Sequence, residues 1–142
     1  MTIPPHLFKI LDLARWAPSG DNCQPWKFQI ISDSHVVIHG SDTRDWCLYD
    51  FDGHASHIAH GALIETIRIA ASAEQLSISW NRRSDTPEGT ALYDIFFQPN
   101  PDLSNDPLLP FIESRVVQRR MMKTKRLSDE QIIISNVTTS EK

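Results

Sequence analysis

From about Ala55 to Gln75, winding the chain at 100° per residue gathers His57, Gly61, Glu65, Arg68, Ser72 and Gln75 into one narrow polar stripe. Nearly every other position in that stretch is Ile, Leu or Ala. A helix apolar over most of its circumference needs cover on most sides, so the pattern predicts a buried central helix. The remaining segments of this 142-residue chain have to supply that cover. A chain of this length makes one domain that buries roughly two thirds of its unfolded surface.

The covering elements are legible from punctuation and period. Pro4 and Pro5 suit the first turn of a helix running to about Arg15, with Leu7, Ile10, Leu11 and Ala14 on one face. Trp26–Ile31 and Val36–His39 read as strands joined by a Ser32-Asp33-Ser34 turn, a hairpin. Residues 40–54 read mostly as loop. Leu76–Trp80 and Ala91–Phe97 read as two further strands around the turn-rich segment 81–89. Leu108–Gln118 is expected to be helical, and Ser128 to cap another helix starting at Leu127. Hairpin strands mixed with helices, without regular alternation, argue an α+β fold.

Several classes are excluded on simple grounds. No run approaches the roughly 20 apolar residues a spanning helix needs, and no basic-then-apolar leader opens the sequence, so a cytoplasmic location is expected. Two cysteines, Cys23 and Cys47, are too few for a disulfide scaffold. The net charge of −4 conceals a segregation: residues 115–126 hold six of the fourteen basic residues and no acid, leaving eight basic against eighteen acidic residues elsewhere. Such a segment suggests a local anion site, and does not suggest a nucleic-acid binder.

The segment richest in chemistry is Ala17-Pro-Ser-Gly-Asp-Asn-Cys-Gln-Pro-Trp26, between the first helix and the first strand. Asn22 and Gln24 each offer two amide donors and a carbonyl acceptor. Gly20 permits close backbone approach, and Pro18 and Pro25 stiffen the loop. Such a loop suits a planar heterocycle with an alternating donor–acceptor edge. From composition alone it reads first as an elaborate helix-ending turn. His57 and His60 share a helix face, but no second ligand cluster accompanies them, so no metal site is expected. Asp50-Phe-Asp52-Gly53 lacks the other positions of a calcium loop. No nucleophile elbow, phosphate loop or paired carboxylates at a distinctive spacing occur, and no catalytic side chain is assigned.

At these residues the sequence resembles the FMN-dependent nitroreductase family. LDLARW followed by APSGDNCQPWKFQII is similar to the family's A-P-S-x-x-N-x-Q-P-W-x-F loop, which borders the flavin. GALIETIRIAASAEQLSISW is similar to its central helix and following strand. RVVQRRMMKTKRLSDEQ resembles the R-x-T-N-R-R-P-F segment of a divergent branch, with Val117, Gln118 and Met121 departing from its Thr, Asn and Pro. The resemblance implies a mixed, largely antiparallel sheet flanked by helices over residues 1–131, with 132–142 as a polar tail. Family members are longer, so it implies a domain incomplete on its C-terminal side. It places Pro18, Ser19, Asn22 and Gln24 along the isoalloxazine ring and Arg115, Arg119 and Arg120 at the phosphate of FMN. It further implies hydride transfer from NAD(P)H through FMN to a nitroaromatic, quinone or similar acceptor, in a homodimer joined by its central helices. The competing expectation is a non-enzymatic flavin-binding or flavin-sequestering domain, or a truncated, degenerate homologue.

Overall fold

The computed structural model describes residues 3–117 together with 120, 121, 124–126 and 128. Helix α1 spans Pro5–Ala14, with Pro5 in the first turn where its missing N–H costs nothing. Leu7, Ile10 and Ala14 line its buried face at spacings of three and four. Strands β1 (Trp26–Ser32) and β2 (His35–Ser41) form the expected hairpin, Trp26 opposite Gly40 and Phe28 opposite Ile38. Helix α2 spans His54–Ser72 and is followed by β3 (Leu76–Arg82) and β4 (Thr90–Pro99). The four strands make one sheet in the order β1-β2-β4-β3, and all three ladders are antiparallel.

One face of the sheet carries Trp26, Phe28, Ile30, Val36, Ile38, Ala91, Tyr93, Ile95 and Phe97, and both helices pack on it in a single apolar cluster. This is an α+β fold, as the sequence led one to expect. Burying α2 takes Leu63 and Ile67 to 0% exposure.

The polar stripe of α2 is not uniformly wet. Ser72 is buried: its hydroxyl donates to the Ile69 carbonyl at 2.7 Å and accepts the Asp106 N–H at 2.8 Å. The 99–107 loop thus folds back over the end of the helix. Conversely His60, on the apolar side, is only 1% exposed.

Between β2 and α2, the stretch expected as loop over 40–54 is loop only over 42–53; it contains a single 3-10 turn, Leu48–Asp50, and its Asp50 starts α2. Gly53 enters the helix in the left-handed region at φ 79° and supplies no side-chain cap. The fully buried Asp50 carboxylate replaces one, accepting the Ser56 N–H (3.1 Å) and hydroxyl (2.6 Å) and the Thr43 N–H (3.0 Å) and hydroxyl (2.8 Å). Burial alone pushes Asp50 up, but the bonds from Ser56 and Thr43 outweigh it and hold the carboxyl well below its ordinary range.

The expected helix over 108–118 is corrected. Its described part holds one 3-10 turn, Leu109–Phe111, and no α-helix. Of residues 108–117 only Ile112 is buried, while Val116 and Val117 are 83% and 64% exposed, so no apolar face stabilises further turns. Gln118, the 127–131 helix apart from Ser128, and the domain boundary at 131 lie outside the described residues.

Candidate functional site

The loop between α1 and β1 is held in an unusual backbone conformation. Asp21, Asn22 and Gln24 all occupy the left-handed region, at φ 46°, 57° and 47°. Such residues cost of order 1–3 kcal/mol each unless their surroundings fix them, and they cluster at binding sites. Here the fixing bonds are internal. Ser19 Oγ accepts the Gln24 N–H at 3.0 Å, the Asn22 N–H donates to the Ser19 carbonyl at 3.1 Å, and Gln24 Nε2 donates to the Arg15 carbonyl at 3.1 Å. Tyr49 packs over Gly20 so closely that a Cβ there would lie 2.9 Å from its hydroxyl, which donates to Asp21 at 3.0 Å. At the loop's exit, buried His60 donates from Nε2 to the Pro25 carbonyl at 2.9 Å.

These bonds decide what each candidate residue still presents outward. Gln24 uses its amide nitrogen as a staple on the carbonyl of Arg15 at the end of α1 and keeps its carbonyl oxygen. Ser19 accepts one bond and keeps its hydroxyl hydrogen. Asn22 is exposed, and its Nδ2 has no partner among the described residues. Two donors and an acceptor thus remain on one stiffened loop. The loop stands beside a hollow of about 780 Å³, whose wall includes Gln24, Trp26 and Trp46. That volume lies within the usual small-molecule range of roughly 300–1,000 Å³.

Pro18 faces a smaller groove, about 220 Å³, with Trp16, Ile69, Phe111 and Arg115. Arg115 closes it: its Nη2 donates to the Trp16 carbonyl at 3.0 Å, tying the start of the basic segment to the start of the loop. The structure therefore brings Pro18 and Arg115 to one groove, while Gln24 lines the larger hollow and Ser19 and Asn22 lie between them in the chain. Arg120 is exposed and belongs to no helix or strand, and Arg119 lies outside the described residues.

Sequence reasoning missed two clusters. Asp50, described above, sat in a stretch read as loop. Asp94 lies on the sheet face away from the helices, 7% exposed, gripped by Arg83 through two bonds of 2.8 Å and by His35 at 2.8 Å. Arg83 above all, against burial, and His35 after it hold Asp94 well below the usual carboxylate range. The only available signal was an acid inside the apolar run Ala91–Phe97. Among the described residues no three His, Cys, Asp or Glu side chains gather as a metal would require, and no helix is long and apolar enough to cross a membrane.

No protein-family model and no curated protein matches the chain. Solved structures do. A nitroreductase family protein from Clostridium novyi NT superposes with a TM-score of 0.51 at 17% identity, over 72% of this chain and 76% of that one. An FMN-dependent nitroreductase from Clostridium difficile R20291 superposes with a TM-score of 0.53 at 13% identity, over 85% of this chain and 91% of that one. The fold is therefore nitroreductase-like, in a strongly diverged sequence.

Proposed function

We propose that this chain is an FMN-binding oxidoreductase of the nitroreductase type. The observation that carries the reading is the strained loop 17–26, which keeps the Asn22 amide, the Ser19 hydroxyl and the Gln24 carbonyl directed to no other group among the described residues. Flavin binding by a superposable protein, the FMN-dependent nitroreductase, supports it. FMN when bound supplies the hydride transfer, from NAD(P)H to a nitroaromatic, quinone or similar acceptor. The chain's own residues bind and orient. Asn22 and Ser19 present hydrogen-bond donors to ring carbonyls, Gln24 an acceptor to a ring N–H, and Arg115, Arg119 and Arg120 the positive charge for the phosphate.

The test is a titration with FMN and riboflavin. The protein is expected to take up FMN and to bleach its absorbance on addition of a nicotinamide donor. Arg120→Ala should weaken FMN by about 10-fold or more, the worth of one charge-assisted bond, and leave riboflavin unchanged. Asn22→Ala should alter the bound flavin's spectrum at an unchanged melting temperature. Gln24→Ala should alter the spectrum too and in addition lower stability by about 1 kcal/mol, because its staple to Arg15 is lost. Failure of added FMN to bind ends the reading.

The same reading includes a homodimer. Trp46, Leu48, Phe51 and Ile58 are 73%, 97%, 77% and 71% exposed where the 40–54 loop meets the first turns of α2. Clustered apolar side chains of this size mark an interface. Sedimentation is expected to show a dimer that Ile58→Glu converts to a monomer without loss of helix signal. A wild-type monomer at high concentration contradicts it.

A further inference from the structure

One bond on loop 17–26 comes from a distant part of the chain. Tyr49, the middle residue of the Leu48–Asp50 turn, donates its hydroxyl to Asp21 Oδ2 at 3.0 Å, across 28 positions of sequence. The same side chain rests on the bare backbone of Gly20. A Cβ there would lie 2.9 Å from the phenol oxygen and 3.4 and 3.6 Å from the ring carbons Cε2 and Cζ. Tyr49 thus touches the loop at the two residues just before Asn22.

The base of Tyr49 is fixed as firmly as its tip. The next residue is Asp50, buried and bonded to Thr43 and Ser56 at the start of α2. On the other side, the Cys47 N–H donates to the Thr43 carbonyl at 2.8 Å, and the Cys47 carbonyl accepts the Asp50 N–H at 3.0 Å. The neighbouring Cys47 thiol, and after it Asp21, push the phenol well above its ordinary range, so it stays a donor at any ordinary pH. Yet Tyr49 is 57% exposed and adds little to the core. A side chain anchored at its base, bonded at its tip and open to solvent between them serves to place what it touches. What it touches is strained: Asp21 and Asn22 both hold left-handed angles.

We propose, resting on the reading of loop 17–26 as the flavin site, that Tyr49 is a positioning residue: through Asp21 it fixes the turn that aims the Asn22 amide at the flavin. Left-handed angles persist only where the surroundings impose them. Removing the hydroxyl lets Asp21 and Asn22 relax, and the amide then faces its target for a smaller fraction of the time. Apparent affinity falls with that fraction. A donor at a ring carbonyl also favours the anionic, reduced flavin, so its partial loss lowers the reduction potential.

Tyr49→Phe tests it, because it keeps the ring over Gly20 and removes only the hydroxyl. In the flavin-free chain, hydrogen exchange at the Asn22 and Gln24 amides is expected to accelerate about 5-fold, the worth of one ordinary hydrogen bond. The melting temperature should barely move, since the bond is exposed. Asp21→Asn, whose side-chain oxygen still accepts from the phenol, should keep the wild-type exchange rates, and Asp21→Ala should match Tyr49→Phe. With FMN, Tyr49→Phe should weaken binding about 5-fold and lower the flavin's reduction potential. In an Asn22→Ala background the same substitution should have no further effect, because no amide is left to aim. Unchanged exchange in Tyr49→Phe, or an equal loss of affinity with and without Asn22, overturns the proposal. A wild-type chain that binds no FMN overturns both readings; one that binds FMN with the same affinity and potential in Tyr49→Phe overturns this one alone.

Discussion

Replacing Asp50 with alanine is expected to lower stability by about 3 kcal/mol or more, one of the two largest effects a single side chain here can produce. The carboxylate is fully buried and accepts four bonds, from the N–H and hydroxyl of both Thr43 and Ser56. Each buried donor left without a partner costs roughly 1–3 kcal/mol, and the four act as one unit, so the losses fall short of a simple sum. For a domain of this size the melting temperature falls by about 10 °C. Asp50→Asn separates charge from shape. It fills the same space but puts an amide N–H where an acceptor is needed, and should cost about 2 kcal/mol near neutral pH.

The pH dependence of that difference has a fixed sign. The folded-state pKa of Asp50 lies below the unfolded value of about 4, so its ionised form contributes stability above that value. The contribution disappears as the pH falls through the folded pKa. The gap between wild type and Asp50→Asn is therefore expected to stay constant from about pH 8 to 5 and to shrink steadily below about pH 4. Urea titrations across this range measure it. A gap that widens in acid contradicts the assignment.

Asp50 also shows where the sequence stops being informative. The helices and strands declare themselves through local period: the Leu7, Ile10, Ala14 spacing of α1 and the polar stripe of α2 depend only on neighbours in the chain. The side of a strand that meets a helix follows from the same alternation, as Trp26, Phe28 and Ile30 show. What Asp50 bonds is different, because Thr43 and Ser56 flank it across a turn whose shape no spacing reveals. The misjudged 108–118 segment fails for the complementary reason. Apolar residues are present there, but Val116 and Val117 find nothing to pack against, and propensity alone does not hold a short helix. In the candidate site, the residue types of loop 17–26 pointed to hydrogen-bonding chemistry. Only the fold distinguishes Gln24, stapled to Arg15, from Asn22, whose amide stays outward. The pairing of Arg115 with Trp16, 99 positions apart, is likewise a tertiary fact.

Gly40→Ala is the other large effect expected, and its mechanism is a collision. Gly40 sits on β2 opposite Trp26, where α2 lays the ring of His60 across the sheet. A Cβ at this position would stand 2.6 Å from His60 Cε1 and 2.8 Å from Nε2, distances no carbon tolerates. The backbone of Gly40 needs no left-handed angle, so space alone requires glycine. The ring has nowhere to retreat, being 1% exposed, and its displacement also breaks the 2.9 Å bond to the Pro25 carbonyl. Overpacking of a core costs about 1–3 kcal/mol and the lost bond about 1 more, so a total of about 3 kcal/mol is expected. His60→Ala alone should cost a similar amount, through the cavity it leaves and the loss of its bond to the Pro25 carbonyl, which keeps the Ser41 N–H at 2.9 Å. The double variant discriminates. With the imidazole gone, the new methyl group enters vacated space, and the pair should be less damaging than the sum by about 1.5–2 kcal/mol. Additive losses would mean that the two residues do not meet. Because Pro25 follows Gln24 directly, Gly40→Ala should also weaken FMN binding by loop 17–26 in the fraction that remains folded. Arg82→Gln, which leaves the Pro25 bond intact, should not.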